Sequence, residues 1–347
     1  SILVTGGAGF IGSHTCLNLL ESGYDVFVID SFVNSSPKSL TRVKKIFKEK
    51  NNCNCNLYIF EGDLRNSLIL KNVFNQAEQI DKKIDGVIHF AGLKSVKESV
   101  EKPILYWDAN VTSTINLLNV MGSFDCNTIV FSSSATIYGS SRKKKLKENF
   151  KLKPINPYGT TKMVIEKLLN DLFTNFPESW RIANLRYFNP IGAHESGLIG
   201  ENPLGIPNNI FPFLTKVASG NLKELRIFGN NWPTIDGTGI RDYIHVVDLA
   251  EGHVKTLEFL KNNHPQSISM NLGTGKGTSV IQLLNIFEET NSLKIPYTFV
   301  GRRSGDVARL VADNSMLKSL LDWYPKRTLV QMCRDGWRWQ VNNPKGY

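Results

Sequence analysis

Long apolar runs are missing from this chain. No stretch among its 347 residues approaches the roughly 20 consecutive apolar residues that a membrane helix requires. Internal repeats and low-complexity tracts are also absent. The first residues, Ser1 to Thr5, have the pattern of a buried strand and not the charged start and longer apolar segment of a signal peptide. These absences predict a cytoplasmic protein without a membrane span.

Cysteine is scarce as well. The chain has five cysteines, and the two nearest to each other are separated by one residue, which is closer than zinc-binding pairs usually stand. No histidine-rich segment accompanies them. We therefore expect free thiols in a reducing compartment and no metal site. The cysteines are Cys16, Cys53, Cys55, Cys126 and Cys333.

Acidic residues are outnumbered by basic ones, 31 to 41, which gives a net charge of +10. The densest basic run, residues 142–147, contains no aromatic side chain on which a nucleic-acid base could stack. We interpret this run as a solvated surface loop and expect no nucleic-acid partner. The positive charge remains suited to attracting an anionic diphosphate ligand.

The first half of the sequence alternates short apolar runs with longer amphipathic segments, which is the pattern of parallel βαβ units. From Asn189 onward, glycine and proline become frequent and the periodicity fades, although shorter elements resume near 247–260, 269–272 and 280–288. Strands are predicted at 2–5, 25–30, 57–60, 86–90, 128–132 and 182–186, and helices at 12–22, 68–79, 110–121 and 161–175.

These patterns predict an α/β fold with two domains. The first domain, residues 1–188, is expected to be a Rossmann-type doubly wound parallel sheet. The second, residues 189–347, is expected to be a smaller mixed α/β lobe for substrate binding, with part of 235–265 able to pack back on the first domain.

A glycine-rich turn joins the first predicted strand to the first helix. Gly6, Gly9 and Gly12 stand three residues apart within it. In this context the glycines permit a tight turn, a close approach of the backbone to a pyrophosphate, and close packing of the helix on the sheet. The helix N-terminus adds a partial positive charge facing the phosphates. The turn therefore predicts a dinucleotide site, the alternative being a turn that binds nothing.

Asp30 ends the second predicted strand. A carboxylate there accepts hydrogen bonds from a ribose 2′-hydroxyl but repels a 2′-phosphate. No lysine or arginine follows until Lys38, so NAD is favoured over NADP. An ordinary surface aspartate is the alternative. Asp63, after the third strand, could similarly reach the adenine amino group. The run Phe90, Ala91 and Gly92 follows the fourth strand, where core packing is nearly as good an interpretation.

A serine, a tyrosine and a lysine form the candidate catalytic group. Ser134 ends the fifth predicted strand, and Tyr158 and Lys162 stand four apart at the start of a helix, on one face. Working near pH 7 requires the phenol pKa to fall by roughly three units, or about 4 kcal/mol. A nearby lysine charge and a positive nicotinamide ring could supply this. Ser134 would hydrogen-bond a substrate oxygen and help to pass its proton.

Blocks of sequence along the whole chain resemble the UDP-glucose 4-epimerase family of the extended short-chain dehydrogenases/reductases. They include the glycine turn as far as His14, the segments around Ser134 and Tyr158, and the run Asp-Gly-Thr-Gly-Ile-Arg-Asp-Tyr-Ile-His that ends at His245. The resemblance implies a tightly held NAD that is not consumed, inversion at C4 of UDP-glucose or UDP-galactose through a transient 4-keto sugar, and a homodimer. The blocks cover 5–14, 89–94, 132–139, 156–159, 185–190, 205–209, 236–245 and 337–340.

The resemblance also implies ligand contacts by matching position, with Tyr158 as the acid/base and Lys162 and Ser134 beside it. Together with the motifs, it predicts cofactor contacts at Gly6, Gly9, Phe10, Ile11, Gly12, Asp30, Ser31, Asn34, Ser35, Asp63, Leu64, Phe90, Ala91, Gly92, Lys94, Asn110, Tyr158, Lys162 and Phe188. The predicted contacts to the UDP-sugar are Lys94, Ser134, Tyr158, Asn189, Asn208, Asn209, Phe228, Arg241, Arg303, Asp306 and Leu310.

Leu310 leaves the substrate range open. Family members with tyrosine at this position exclude N-acetylated sugars, and members with a small residue admit them. Leucine is intermediate in volume, so we expect UDP-glucose and UDP-galactose as the main pair and weak activity on UDP-GlcNAc and UDP-GalNAc. An enzyme acting on the N-acetylated pair, or on both pairs, is the alternative.

Two rival functions are disfavoured by particular residues. A sugar-nucleotide 4,6-dehydratase requires an acidic pair directly after the serine of the fifth strand, where this chain has Ala135 and Thr136, which cannot transfer protons in that way. A non-catalytic NAD-binding relative typically loses the tyrosine or the lysine, and both are present here.

Overall fold

The strands of the protein are short and mostly buried. The structure is a computed structural model that describes residues 1–50, 54–140, 143–205, 207, 209–303 and 305–347. Within these residues the strands are β1 (Ile2–Thr5), β2 (Val26–Asp30), β3 (Leu57–Glu61), β4 (Gly86–His89), β5 (Thr128–Ser134), β6 (Arg181–Tyr187), β7 (Asn189–Ile191), β8 (Leu225–Phe228), β9 (Ile240–Arg241), β10 (Tyr243–His245), β11 (Gln266–Leu272), β12 (Thr278–Ser279), β13 (Tyr297–Val300) and β14 (Arg309–Leu310).

Seven of these strands form one sheet in the order β3-β2-β1-β4-β5-β6-β11, and all neighbouring pairs are parallel. Every residue of β1, β2, β4 and β5 is buried, because both faces of the sheet are covered. The strand order reverses between β1 and β4, where a doubly wound sheet binds ligands at the carboxyl ends of its strands. The predicted Rossmann-type parallel sheet is confirmed.

Helices cover both faces of this sheet. The helices are α1 (Phe10–Glu21), α2 (Pro37–Lys50), α3 (Ser67–Gln79), α4 (Val96–Glu101), α5 (Pro103–Trp107), α6 (Ser113–Ser123), α7 (Pro157–Asn175), α8 (Ile210–Ala218), α9 (Val246–Asn262), α10 (Val280–Asn291), α11 (Ser315–Leu321) and α12 (Leu329–Asn342), with a π-helical turn at Asp108–Thr112 and a 3-10 turn at Ala135–Tyr138.

Alternate residues of each strand serve two separate cores. On one face α1, α2 and α9 pack around Val4 and Val28, and on the other α3, α6 and α7 pack around Leu3 and Phe27. This alternation follows from the pleat of the strands, in which successive side chains point to opposite faces. The central sheet and these six helices are called the first lobe below.

The second lobe contains the remaining small sheets and has a core of its own. The pairs are β7 with β10 and β8 with β13, and β9 lies between β12 and β14. Its core includes Phe211, Phe287 and Met332, from α8, α10 and α12. Capping boxes start α10 at Ser279 and α12 at Thr328. The periodicity of the sequence fades after Asn189 and does not predict α8 or α12. This lobe therefore contains more regular secondary structure than the sequence pattern indicates.

The chain returns from the second lobe to the first. Helix α9 packs against α1, and β11 extends the central sheet by pairing with β6. Helix α9 lies within 235–265, the segment that the sequence predicts could pack back on the first domain, whereas β11 follows that segment. The division into 1–188 and 189–347 stays a prediction.

Three features of the described residues bear on the expectations from composition. None of their helices is long and apolar enough to cross a membrane. None of their His, Cys, Asp and Glu side chains form a group of three or more that could hold a metal ion. The expected free thiols are confirmed for three of the cysteines that the structure describes, and Cys53 lies outside the described residues. The free cysteines are Cys16, Cys126 and Cys333.

Candidate active site

The glycine turn lies between β1 and α1, at the point where the strand order reverses. Gly6 has a φ of +69°, which favours glycine, and a Cβ on Gly12 would stand 2.3 Å from the Gly6 carbonyl oxygen. At Gly9, the N-cap of α1, an added Cβ would meet only that same carbonyl oxygen within 4 Å, at 3.3 Å. Helix α1 begins with Phe10 and Ile11, and its first N–H groups have no partner within the helix. These N–H groups and the space beside Gly9 therefore fit a pyrophosphate.

Asp30 is buried at the carboxyl end of β2, beside this turn. Its Oδ2 accepts from the Ala8 N–H at 2.9 Å, and its Oδ1 accepts from the Phe32 N–H and from the Ser35 hydroxyl, at 2.9 and 2.8 Å. A carboxylate has about four acceptor positions, so one remains for a ribose hydroxyl. Ser35, predicted as a cofactor contact, thus also orients Asp30. Exposed in the same loop are Ser31 and Asn34.

Asp63 is engaged by a neighbour that sequence reasoning missed. Arg65 donates to both Asp63 oxygens, at 2.6 to 3.1 Å, and to Asp108 at 2.6 Å. The Arg65 guanidinium lowers the pKa of Asp63. An arginine two residues after a predicted ligand was the available signal. The predicted adenine contact of Asp63 stays a prediction, and the adjacent Leu64 is buried.

The loop after β4 is held by Asn110, in the π-helical turn. The Asn110 Oδ1 accepts from the Leu93 N–H at 2.7 Å, and its Nδ2 donates to the Leu93 carbonyl oxygen at 3.2 Å and to Thr161 Oγ1 at 3.1 Å. Both amide protons of Asn110 therefore bind protein groups, which ties the loop carrying Lys94 to α7. Gly92 passes over Asn110 with a φ of +149°. On the same loop, Ala91 N–H donates to Thr5 Oγ1, and the Phe90 ring packs on His253.

Tyr158, Lys162 and Ser134 converge at the carboxyl end of β5. The Asn156 side chain caps α7 by accepting from the Gly159 N–H at 2.8 Å, which places Tyr158 in the first turn of the helix. All three side chains of the trio are buried. The Lys162 Nζ lies 6.0 Å from the centroid of the Tyr158 ring.

The Lys162 ammonium contacts strand β5. It donates to the Ser132 carbonyl oxygen at 2.7 Å and lies 4.8 Å from the centroid of the Phe131 ring. Burial lowers the pKa of Lys162 to about 7, and the Glu166 carboxylate opposes that shift. An ammonium has three donors, so two remain for a ligand.

Two opposing effects act on the pKa of Tyr158. Burial raises the pKa of the phenol, and a hydrogen bond with the Ser134 side chain acts in the opposite direction. The expected lowering of the phenol pKa depends on a bound nicotinamide ring as well as on Lys162, so it stays a prediction for the ligand-bound protein.

A buried ion pair lies directly behind this trio. Arg186 in β6 donates to both oxygens of Glu166, at 2.6 to 3.2 Å, and to the Tyr138 hydroxyl at 3.1 Å. The Ser133 hydroxyl donates to Glu166 Oε1 at 2.5 Å. Sequence reasoning missed this network, although Glu166 stands four residues after Lys162 on the same helix face. It fixes α7 to β5 and β6 beneath the catalytic side chains.

Five predicted substrate residues meet in the second lobe. The Arg303 guanidinium lies 4.3 Å from the centroid of the Phe228 ring. Arg241 pairs with Asp306 at 3.7 Å between Nη2 and Oδ1, and its strand register places it opposite Leu310. Two arginines with planar guanidinium groups suit a diphosphate.

Other predicted contacts lie along the edge between the lobes. Lys94 Nζ and Asn209 Nδ2 both reach Glu201 Oε1, at 3.4 and 3.3 Å. Asn189, at the start of β7, has a buried Oδ1 without a hydrogen-bond partner in the described residues. Phe188 is buried beside it. Asn208 lies outside the described residues.

Comparison with known proteins assigns the family. The family model described as GDP-mannose 4,6 dehydratase matches residues 3–336. The UDP-glucose 4-epimerase of Bacillus subtilis (strain 168) is 50% identical over 347 residues, which cover 100% of this chain and 98% of that protein. A UDP-glucose 4-epimerase structure from Stenotrophomonas maltophila with bound NAD and formylated UDP-arabinopyranose has a TM-score of 0.93 and 42% identity over 99% of each chain. The structure of UDP-glucose 4-epimerase from Bifidobacterium longum in complex with NAD+ and UDP has a TM-score of 0.92 and 44% identity, over 100% of this chain and 99% of that one. The chain belongs to the UDP-glucose 4-epimerase family.

Proposed function

We propose that this protein interconverts UDP-glucose and UDP-galactose by NAD-dependent inversion at C4, with Tyr158 as the acid/base. The observation that carries the proposal is the convergence of Tyr158, Ser134 and Lys162 beside the glycine turn, in a chain of this family. The chemistry that bound NAD supplies is the reversible acceptance of a hydride from C4. The residues proposed to hold it are those around Gly9 and Asp30, whose open space and remaining acceptor position fit a pyrophosphate and a ribose.

Proton transfer falls to the side chains of the trio. Tyr158 takes the proton of the sugar 4-hydroxyl as the 4-keto sugar forms, and returns it when the opposite epimer forms. Ser134 shares the proton with the phenol through their hydrogen bond. Lys162 keeps two donors for the ligand while its third donor binds Ser132. Burial of all three groups excludes water from the proton path.

The residues after Ser134 favour epimerisation over dehydration. Ala135 is buried and carries no acid, and the Thr136 hydroxyl donates to Ser134 Oγ at 2.9 Å. Neither side chain can protonate a leaving hydroxyl on the sugar. Because no acid stands at these positions, the 4-keto sugar is expected to be reduced again rather than to lose water.

Assays with four UDP-sugars test the function and the substrate range. The purified protein is expected to interconvert UDP-glucose and UDP-galactose without net change in NAD, and to act weakly on UDP-GlcNAc and UDP-GalNAc, because Leu310 leaves limited room. Leu310→Tyr is expected to abolish the weak activity and to keep the main one. Chromatography of the products measures the main activity and the weak activity in the wild-type protein and in the variant. Turnover of UDP-GalNAc equal to that of UDP-galactose would contradict this substrate range, and absence of any interconversion would contradict the function.

A homodimer is proposed from the surface of three consecutive helices. Ile104 is 83% exposed and Val100 is 62% exposed, and partly exposed apolar side chains accompany them on α4, α5 and α6. Exposed apolar side chains on successive helices support an association surface, and a two-fold axis would make it self-complementary. The accompanying residues are Leu105, Trp107 and Ile115.

The free cysteines support the further proposal that the protein works in the cytoplasm.

Charge placed on this surface tests the dimer. The double variant Val100→Asp/Ile104→Asp is expected to sediment as a monomer at concentrations where the wild-type protein is dimeric, because each aspartate would be desolvated in the interface. Val330→Asp is the control, since Val330 is 46% exposed on α12 and lies outside this surface. A double variant that remains dimeric would show that the copies meet elsewhere.

A further inference from the structure

Glu201 bridges the two lobes. Its side chain is 9% exposed. Oε1 accepts from Lys94 of the first lobe and from Asn209, the N-cap residue of α8, at 3.4 and 3.3 Å. The Glu201 main-chain oxygen accepts from Trp339 Nε1 at 3.1 Å, which fixes it to α12. One oxygen of Glu201 therefore holds two residues that are predicted to contact the substrate.

The second oxygen of the same carboxylate is unsatisfied. Glu201 Oε2 is buried and has no hydrogen-bond partner in the part of the chain that the structure describes. A buried carboxylate oxygen without a donor is costly, so a donor is expected in the working protein. The phosphates of a nucleotide sugar supply only acceptors, whereas its hydroxyls and the uracil N3–H supply donors. The hexose carries most of these donors, and the unpaired oxygen is matched to one of its hydroxyls below.

Asn189 points to the same ligand chemistry independently. Its Oδ1 is also buried and without a partner among the described residues. The segments that carry Asn189 and Glu201 are held together by the bridge between Ala193 and Gly200. Two unpaired acceptors on connected segments of the second lobe fit a ring that carries several hydroxyls.

We propose that Glu201 is a hexose-binding residue, in which Oε1 holds Lys94 and Asn209 and Oε2 accepts a hydrogen bond from a hydroxyl of the bound hexose. This inference rests on the proposed function, because the donor belongs to the sugar of a UDP-hexose. UDP lacks the hexose but keeps the nucleotide and both phosphates. Comparing UDP-glucose with UDP therefore isolates the contact.

Two substitutions in the NAD-containing protein test the contact. Glu201→Met removes both acceptors at similar size and is expected to weaken UDP-glucose binding by roughly tenfold to a hundredfold. UDP binding is expected to weaken less, because UDP loses only the support that Oε1 gives to Lys94 and Asn209. Glu201→Gln keeps an amide oxygen and is expected to restore part of the loss. Calorimetric titration measures both ligands. Glu258→Gln is the control, since it removes a carboxylate paired with Lys255 on α9, and it should change neither affinity.

The outcomes separate hexose binding from a structural role. Equal losses for UDP-glucose and UDP, or loss of bound NAD in the absorbance spectrum, would overturn the inference. So would native UDP-glucose affinity in Glu201→Met. If Glu201→Met does not fold, Glu201→Gln takes its place, and a loss confined to UDP-glucose supports the contact. Failure of the proposed function would be seen separately, as a wild-type protein that binds UDP-glucose and does not convert it.

Discussion

Tyr158→Phe is expected to lower kcat by about a thousandfold or more, because the variant has no group that can take and return the 4-hydroxyl proton. The phenol is buried and interacts with Ser134, and its ring packs beside Lys162. Phenylalanine keeps the ring, so the fold and the binding of NAD and UDP-glucose should be retained. The loss should therefore appear in kcat, with little change in affinity.

A second buried tyrosine gives the matched control for this result. Tyr243 is buried in β10, and its hydroxyl has no hydrogen-bond partner in the described residues. Tyr243→Phe removes the same atom without breaking a hydrogen bond, and it should leave kcat unchanged. Steady-state rates and calorimetric titration with UDP-glucose should be measured on both variants. Near-native turnover by Tyr158→Phe would refute the acid/base assignment.

Sequence patterns predicted the central sheet well because its strands are buried on both faces. Strands β1 to β6 begin and end within two residues of the predicted bounds, because the ends of continuous apolar runs are marked by polar turns. The start of α7 was placed four residues too late at Thr161. It is set by the side chain of Asn156, which caps the helix from outside the periodic segment. Helix α2 was missed, although its 14 residues pack Leu40 and Val43 into the core.

Residue types at the active site were predictable, whereas their partners were not. Motif spacing indicated Asp30, but the three donors that hold its carboxylate come from separate parts of the turn and loop. The ion pair of Glu166 with Arg186 joins residues 20 apart on different elements. Glu201 contacts Lys94 across 107 residues. Such contacts depend on how the lobes pack, and no local pattern encodes them.

Lys162→Met is expected to stabilise the protein after removal of NAD, by on the order of 4 kcal/mol at pH 6. Burial lowers the pKa of Lys162 from 10.5 to about 7. Between these two pH values the unfolded chain binds a proton that the folded chain does not, so the stability of the wild-type protein rises with pH across this window. Below about pH 7 both states are protonated and the full cost of the buried charge remains. Methionine removes that cost.

Denaturant unfolding of the NAD-free proteins between pH 6 and pH 10 measures this effect. The stability difference between Lys162→Met and the wild-type protein should shrink as pH rises, because the native lysine becomes neutral above its lowered pKa. Lys167→Met is the control on the same helix, since Lys167 is 75% exposed and pairs only with Asp171 among the described residues. Parallel stability curves for the wild-type protein and Lys162→Met would contradict the lowered pKa.

The same substitution is expected to move the acidic limb of the pH–rate profile to higher pH, as well as to lower the maximal rate. Ionising Tyr158 places a negative charge on the ring that lies 6.0 Å from Lys162 Nζ. At the low dielectric of a buried site this charge favours the ammonium, and the ammonium in turn favours the phenolate. Burial disfavours the phenolate of Tyr158 and the ammonium of Lys162 when each is considered alone. Because the two charges stabilise each other, the two groups titrate as a coupled pair. With methionine the phenolate loses this support. An unmoved acidic limb would mean that Lys162 binds the cofactor without tuning Tyr158.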